Sequence, residues 1–259
     1  MRPTRRGALR APFRWAGSKA WLAARLRPYA EAAERWVEPF AGSAAVPLAL
    51  GLDRVHLNDL NPHLMRAWTA IQLGDVRSIE ALPGRDAYEA LRADFNAAVD
   101  RGEDASPEAV AMYLRLQAHA YRGLHQFDAV GRFVTAYGGW RRSGDAIDLR
   151  PVAARIAAWT LGTGDFARTP LQVGDTVYAD PPYLGSAGQY AHAPFTWADF
   201  ERLLKWLDGH DGPVVVSQRA APEAIDALRG RGSEVTDVVG PSYNARYGRG
   251  EVVGWRGVR

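Results

Sequence analysis

RWVEPFAGSAAVPLALGLDRVHLND, running from Arg35 to Asp59, contains three elements in order. A short strand, RWVEPF, leads at once into a turn carrying Gly42 and then into the apolar run AVPLALGL, which reads as a helix. A second short strand, RVHLND, ends on Asp59. Strand, tight glycine turn and helix make the opening of a Rossmann-like unit. Upstream, residues 18–34 predict a helix with Ser18 as its cap and Trp21, Leu22, Leu26 and Tyr29 near helical spacing. Downstream, NPHLMRAWTAIQL predicts another, with Asn61 as cap and Pro62 at the first position.

From about Leu73 to Arg150 the alternation stops. Residues 85–100 and 106–123 look helical; the second has Ser106 as cap and Val110, Tyr113, Leu114 and Tyr121 on one face. GRFVTAYGGWRR, residues 131–142, reads as a hairpin. The expectation is an insert over 69–149 with its own small core, between α/β segments at 1–68 and 150–259. The α/β pattern resumes with TLGTGDF and DTVYADPPY, then a capping box at Thr196 and Asp199 ahead of Phe200, Leu203, Leu204 and Leu207. GPVVVSQ reads as a buried strand. A helix near 221–230 and strands near 234–238 and 251–256 complete an α/β fold.

Composition narrows the function classes. The 259 residues are 47% hydrophobic and 24% charged, which excludes disorder. No apolar run approaches the ~18 residues a membrane span needs, and the basic start MRPTRRGALR leads into no apolar stretch of a secretory signal. The absence of cysteine excludes disulfides and a thiolate zinc site, and it fits a cytoplasmic protein. A net charge of +3 is compatible with a nucleic-acid partner without demanding one. Lys19 and Lys205 are the only lysines among 32 basic residues, so Lys19 stands out.

The sharpest motif is Asp180-Pro181-Pro182-Tyr183, straight after TVYA. Two prolines cannot continue a sheet, so the chain leaves at the carboxyl end of a strand, where open α/β sheets bind ligands. An acid, a carbonyl and an aromatic ring held together suit a flat base with an exocyclic amine. Asp180 and the Pro181 carbonyl can accept the two amino hydrogens while Tyr183 stacks on the ring. The same tetrapeptide also reads as a Pro-rich turn with a surface acid; its place after a buried strand favours the functional reading.

With these residues in place the chain resembles the Dam-type (D12 class, alpha group) DNA adenine-N6 methyltransferases, which use S-adenosylmethionine. Arg14-Trp15-Ala16-Gly17-Ser18-Lys19 is similar to the family's amino-terminal cofactor motif, and Val37-Glu38-Pro39-Phe40-Ala41-Gly42-Ser43 to its Gly-rich motif. Leu57-Asn58-Asp59-Leu60-Asn61 resembles its acid-ended second strand, and DPPY its catalytic motif. Phe195-Thr196 and VVVSQ match segments later in the family's order. The resemblance covers roughly 13–68 and 119–259, leaving about 70–115 unmatched.

It implies a Rossmann-like methyltransferase sheet, catalytic over 1–68 and 150–259, with a mainly helical target-recognition insert and hairpin. Asp180, Pro181, Pro182 and Tyr183 would be catalytic. The cofactor would be held by Trp15, Lys19, Glu38, Phe40, Gly42, Asp59, Asp165, Phe166 and Asp180. Within that set, Trp15 and Lys19 would lie one helical turn apart, facing one ligand, with Lys19 toward the methionine carboxylate. Gly42 would admit the ligand to the backbone, Asp59 would reach the ribose, and Gly164-Asp165-Phe166 would hold the cofactor's adenine. The family's second turn glycine is Ala44 here, a mild change if φ stays negative.

Tyr121-Arg122-Gly123-Leu124-His125-Gln126-Phe127 resembles the family's Y-N-G-L-x-R-Y segment, which reads double-stranded DNA with the hairpin after it. Candidate DNA contacts are Arg14, Tyr121, Arg122, Leu124, Gln126, Trp140, Arg141 and Arg142. Arg122 and Gln126 stand where the family has Asn and Arg, so the preferred site is expected not to be simply GATC. His119 and His125 have no third ligand at metal spacing, and no metal is required. The readings kept beside this one are a cytosine-N4 or RNA-base methyltransferase and a catalytically silent DNA-binding relative.

Overall fold

The computed structural model describes residues 7–140, 142, 144–184, 194–238 and 251–257. A 3-10 turn at Ala20–Leu22 runs into α1 (Ala23–Ala32). After it come β1 (Arg35–Glu38), α2 (Ala45–Leu50), β2 (Val55–Asp59) and α3 (Pro62–Leu73). Next are β3 (Ser78–Glu80), α4 (Arg85–Asp100), α5 (Pro107–His119) and β4 (Ala146–Asp148). The chain continues through α6 (Arg150–Ile156), β5 (Thr160–Thr163) and β6 (Asp175–Ala179). It ends with α7 (Trp197–Asp208), β7 (Val214–Arg219), α8 (Pro222–Arg229), β8 (Glu234–Val238) and β9 (Glu251–Arg256).

Seven strands form one sheet in the order β5-β2-β1-β6-β7-β9-β8. The first five neighbours run parallel, and β9 pairs antiparallel with both β7 and β8. The chain leaves β1 toward β2 on one side and returns on the other as β6. That reversal opens a crevice at the carboxyl ends of β1, β2 and β6, the place where such sheets bind ligands.

Period-2 alternation sorts the strand residues onto two faces. Trp36, Tyr178, Val215 and Val253 join the core on one side, while Val37, Val177, Val214, Val216 and Val252 join that on the other. The second layer is closed by Phe200, Leu203, Leu204 and Leu207 of α7, starting from the Thr196–Asp199 capping box; each buried side chain contributes about 1.5–3 kcal/mol. Asn61 caps α3 by accepting from the His63 and Leu64 N–H groups, and Ser106 caps α5.

Four local expectations differ. Ser18 caps nothing; its N–H bonds to the Trp15 carbonyl in a turn, and the 3-10 start has Lys19 at its cap position. Helix α5 stops at His119, and Tyr121, in a separate 3-10 turn, is 45% exposed, so it leaves the buried face of Val110, Tyr113 and Leu114. Among the described residues of 131–142 no strand pairing within the segment occurs. Phe133 bridges back to Phe127 and Tyr137 to Ala120, so the second arm lies upstream, across a turn closed by Asp128. Residues 69–149 also share a core with the sheet: Tyr88, Phe95, Tyr113 and Phe133 belong to the same buried cluster as Trp36, Leu57 and Trp68.

No helix among the described residues is long and apolar enough to cross a membrane.

Candidate active site

Three adjacent parallel strands each deliver one carboxylate to the crevice. Glu38 ends β1, Asp59 ends β2, and Asp180 comes directly after β6. Glu38 is buried and accepts a hydrogen bond from the Trp36 indole at 2.9 Å. Burial pushes its carboxyl up to about 8; the nearby Asp180 charge adds to the rise and the indole bond opposes it. Asp59 uses both oxygens on backbone: one accepts the Gly42 N–H at 3.0 Å and the other the Asn61 N–H at 2.9 Å. Burial raises its carboxyl above the ordinary range despite those bonds.

Asp180 is paired with Lys19, which is only 5% exposed. Its Nζ donates to the Gly17 carbonyl at 2.7 Å and to Asp180 Oδ2 at 3.0 Å. It also lies 5.0 Å from the Tyr183 ring centroid, and the Arg219 guanidinium approaches the same ring at 5.6 Å. The chain beyond the motif is held by the Leu184 N–H donating to Gln218 Oε1 at 3.2 Å. The two prolines keep residues 180–183 out of the sheet, as the sequence demands.

Trp15 and Lys19 are not related by a helical turn. Gly17 has φ +80°, and the Trp15–Ser18 turn sends the two side chains to different partners. Trp15 packs on the turn after β1, which gives Gly42 another purpose. A Cβ at Gly42 would stand 2.7 Å from the indole Nε1 and 2.9 Å from Cε2, so the missing side chain makes room for Trp15. Gly42 also has φ +47°. Ala44 departs from expectation in the same turn: its φ is +48°, not negative, and it is fully buried. An alanine there carries strain of about 1–2 kcal/mol.

The outer part of the crevice is aromatic. Phe40 lies 5.3 Å from Phe166 and 6.0 Å from Phe195, centroid to centroid. Phe166 is buried in the α7 layer, with the Arg202 guanidinium 4.2 Å above its ring. Asp165 is bonded to Arg202 through both oxygens at 2.8 Å and caps the 3-10 turn after it, and this pairing holds its carboxyl below the usual range.

Of the DNA-facing candidates, Tyr121 and Arg122 are exposed; Arg122 has φ +53° and its guanidinium lies 5.3 Å from the Tyr121 ring. Arg14 Nη1 donates to the Ala120 carbonyl at 3.5 Å, and Arg142 Nη2 to the Ala11 carbonyl at 2.6 Å. Burial depresses the Arg142 pKa, and the charges of Arg10 and Arg14 depress it further, so three guanidiniums share this face. Leu124 and Gln126 are half-buried; the Gln126 N–H donates to Thr135 Oγ1 at 3.0 Å. Trp140 donates to the Gly144 carbonyl at 2.7 Å and its ring lies 4.9 Å from His119. Arg141 lies outside the described residues.

Sequence reasoning missed Asn58, whose buried amide ties the Pro39 and Gly164 carbonyls and so joins two crevice loops. It also missed Gln218 and Arg219, although a buried strand ending beside the one that carries DPPY was signal enough. No group of three His, Cys, Asp or Glu able to hold a metal occurs among the described residues.

The acid-ended strands, the Lys19–Asp180 pair and the rigid DPPY exit sit at one edge of the sheet. Residues 15–211 match the D12 class N6 adenine-specific DNA methyltransferase family. The chain belongs to that family. It is 31% identical over 218 residues to the retron Ec67 DNA adenine methylase of Escherichia coli, covering 79% of this chain and 75% of that protein. It is 27% identical over 247 residues to the DNA N-6-adenine-methyltransferase of Escherichia phage P1, covering 87% of this chain but 32% of that longer protein. A DNA adenine methylase of Serratia marcescens is 26% identical over 185 residues, 67% of each chain. As a member of this D12 class, the chain is a site-specific DNA adenine methyltransferase.

Proposed function

We propose that the crevice binds S-adenosylmethionine and presents a flipped-out adenine of double-stranded DNA to Asp180, Pro181, Pro182 and Tyr183. The observation that carries this reading is the placement of Glu38, Asp59 and Asp180 at three adjacent strand ends, with the buried Lys19 paired to Asp180. That donor set fits the cofactor: acidic side chains as hydrogen-bond acceptors for an ammonium and a ribose diol, a cationic side chain for a carboxylate, and the Phe40–Phe166 pair for a purine. When bound, S-adenosylmethionine supplies an electrophilic methyl group on a sulfonium. Trp15, Lys19, Glu38, Phe40, Gly42, Asp59, Asp165 and Phe166 would hold it.

The chain's own residues then act on the base. An adenine amine is a poor nucleophile because its lone pair is delocalised into the ring. Asp180 and the Pro181 carbonyl accept its two hydrogens and draw the nitrogen toward tetrahedral geometry, freeing the lone pair. Lys19 fixes the Asp180 rotamer, so the acceptor is oriented before the base arrives. Tyr183 replaces the stacking lost on flipping. Catalysis on this reading is positioning and electrostatics. Arg10, Arg14 and Arg142 suit phosphates, which set affinity and register, while Tyr121, Arg122, Leu124 and Gln126 face the bases.

Titration calorimetry with S-adenosylhomocysteine tests the pocket. Binding is expected, and Asp59→Ala should weaken it at least about tenfold, the worth of one or two good hydrogen bonds. A folded native protein giving no heat with either the cofactor or its demethylated product would refute the assignment.

A further inference from the structure

His125 lies within Tyr121–Phe127, the segment assigned to DNA, yet only 1% of it is exposed. Its Nδ1 is 3.0 Å from the Tyr113 hydroxyl, and its Nε2 is hydrogen-bonded to the Gln117 side-chain amide. Burial holds the imidazole well below the usual histidine range, so the ring is neutral and unsuited to a phosphate. What it does touch is Trp15: the ring centroids are 3.6 Å apart with planes inclined at 44°. The backbones are joined as well, by the Ala16 N–H donating to the Gly123 carbonyl at 2.9 Å. A Cβ at Gly123 would fall 2.9 Å from the Trp15 nitrogen, so only a glycine permits this approach.

These contacts close a circuit. Trp15 covers Gly42, the Gly42 N–H donates to Asp59, and the other Asp59 oxygen accepts the Asn61 N–H. The Asn61 side chain lies beside the Tyr113 hydroxyl, which returns to His125. Every member except His125 and Tyr113 lies in the cofactor motifs or beside them. A ring held between the Tyr113 and Gln117 side chains and the Arg14 backbone is a rigid backstop, and aromatic contacts of this kind favour one relative orientation.

We propose that His125 is a positioning residue of the cofactor pocket and not a reader of DNA: it seats the Trp15 indole over the Gly42 turn. The proposal rests on the reading of Trp15 as a cofactor-binding residue. It sets His125 apart from Arg122 and Gln126, its neighbours in the same segment.

The test measures two affinities on the full-length protein, S-adenosylhomocysteine by calorimetry and a duplex oligonucleotide without cofactor by fluorescence anisotropy. His125→Ala should weaken cofactor-product binding about three- to tenfold, the range an aromatic contact supports, while duplex affinity stays within about threefold. His125→Phe keeps a ring against Trp15 and should bind the product within about threefold of the native protein, whatever its melting temperature. A merely structural residue would show product affinity following stability through both variants. Native-like product binding by His125→Ala overturns the proposal, as does a loss confined to the duplex, or a His125→Phe as weak as His125→Ala. Trp15→Ala separates the two levels: if it binds product normally, the pocket reading fails; if it is weak and His125→Ala is not, only the positioning role fails. Should His125→Ala not fold, Tyr113→Phe removes one of the ring's restraints, and unchanged product affinity there overturns the proposal equally.

Discussion

Replacing Gly42 by alanine adds a single methyl group in the worst available place. Its φ of +47° costs a residue with Cβ about 1–2 kcal/mol. The new Cβ would stand 2.7 Å from the Trp15 indole, a rigid ring that cannot swing away because His125 and Phe13 flank it. Overpacking of that kind costs about 1–3 kcal/mol. The expected loss for Gly42→Ala is therefore about 2–5 kcal/mol, or roughly 5–20 °C in melting temperature for a chain of this size. The two causes separate in a double-mutant cycle followed by urea denaturation. Trp15→Ala is itself costly, but it empties the space the new methyl needs. Gly42→Ala in that background should cost about 1–3 kcal/mol less than in the native protein, leaving only the backbone strain. Losses that add to within about 0.5 kcal/mol would refute the idea that Gly42 is glycine on account of Trp15.

Asp180→Ala should abolish methyl transfer while leaving duplex affinity within a few-fold, because phosphate contacts dominate binding; near-native methylation in a radiolabel assay would remove Asp180 from the mechanism. Tyr183→Phe should retain activity and Tyr183→Ala should lose it, since stacking needs the ring and not the hydroxyl. Glu38 holds a proton up to about pH 8 in the folded protein, so its contribution to stability is complete below the ordinary carboxylate pKa and is lost as pH rises through about 8, at up to about 1.4 kcal/mol per pH unit. Glu38→Gln removes that slope, and its stability relative to the native protein should rise between about pH 5 and about pH 8; parallel urea curves across that window would contradict the shift. Sequencing methylated adenines in a host without its own methyltransferases should show sites other than GATC alone, because Arg122 and Gln126 replace the family's Asn and Arg.

Much of the scaffold was legible because its signals are local. Asn61 with Pro62, Ser106 with Pro107, and Thr196 with Asp199 announced three helix starts that the structure reproduces. The strands leading to Glu38, Asp59 and Asp180 were legible from their composition and from the glycine, asparagine and proline turns after them. Pairing between distant segments was not. Trp15 and Lys19 have the spacing of a helical turn, and nothing nearby in sequence shows that Gly17 breaks it at φ +80°. Aromatic spacing over 131–142 resembled a hairpin because strand-forming residues do not reveal which neighbour they pair with; Phe127 and Ala120 answered that. The Asp165–Arg202 bond and the inward turn of His125 are likewise products of tertiary packing, 37 residues apart in one case and buried beneath a recognition motif in the other.

The central claim is that this crevice places a methyl group on adenine N6 in DNA through Asp180. The most direct measurement incubates the purified protein with S-adenosylmethionine and duplex DNA, digests the DNA to nucleosides, and identifies the modified base by mass. N6-methyladenine should accumulate with the native protein and be absent with Asp180→Ala. N4-methylcytosine, or no modified base from a folded protein that binds both cofactor and DNA, would contradict the account.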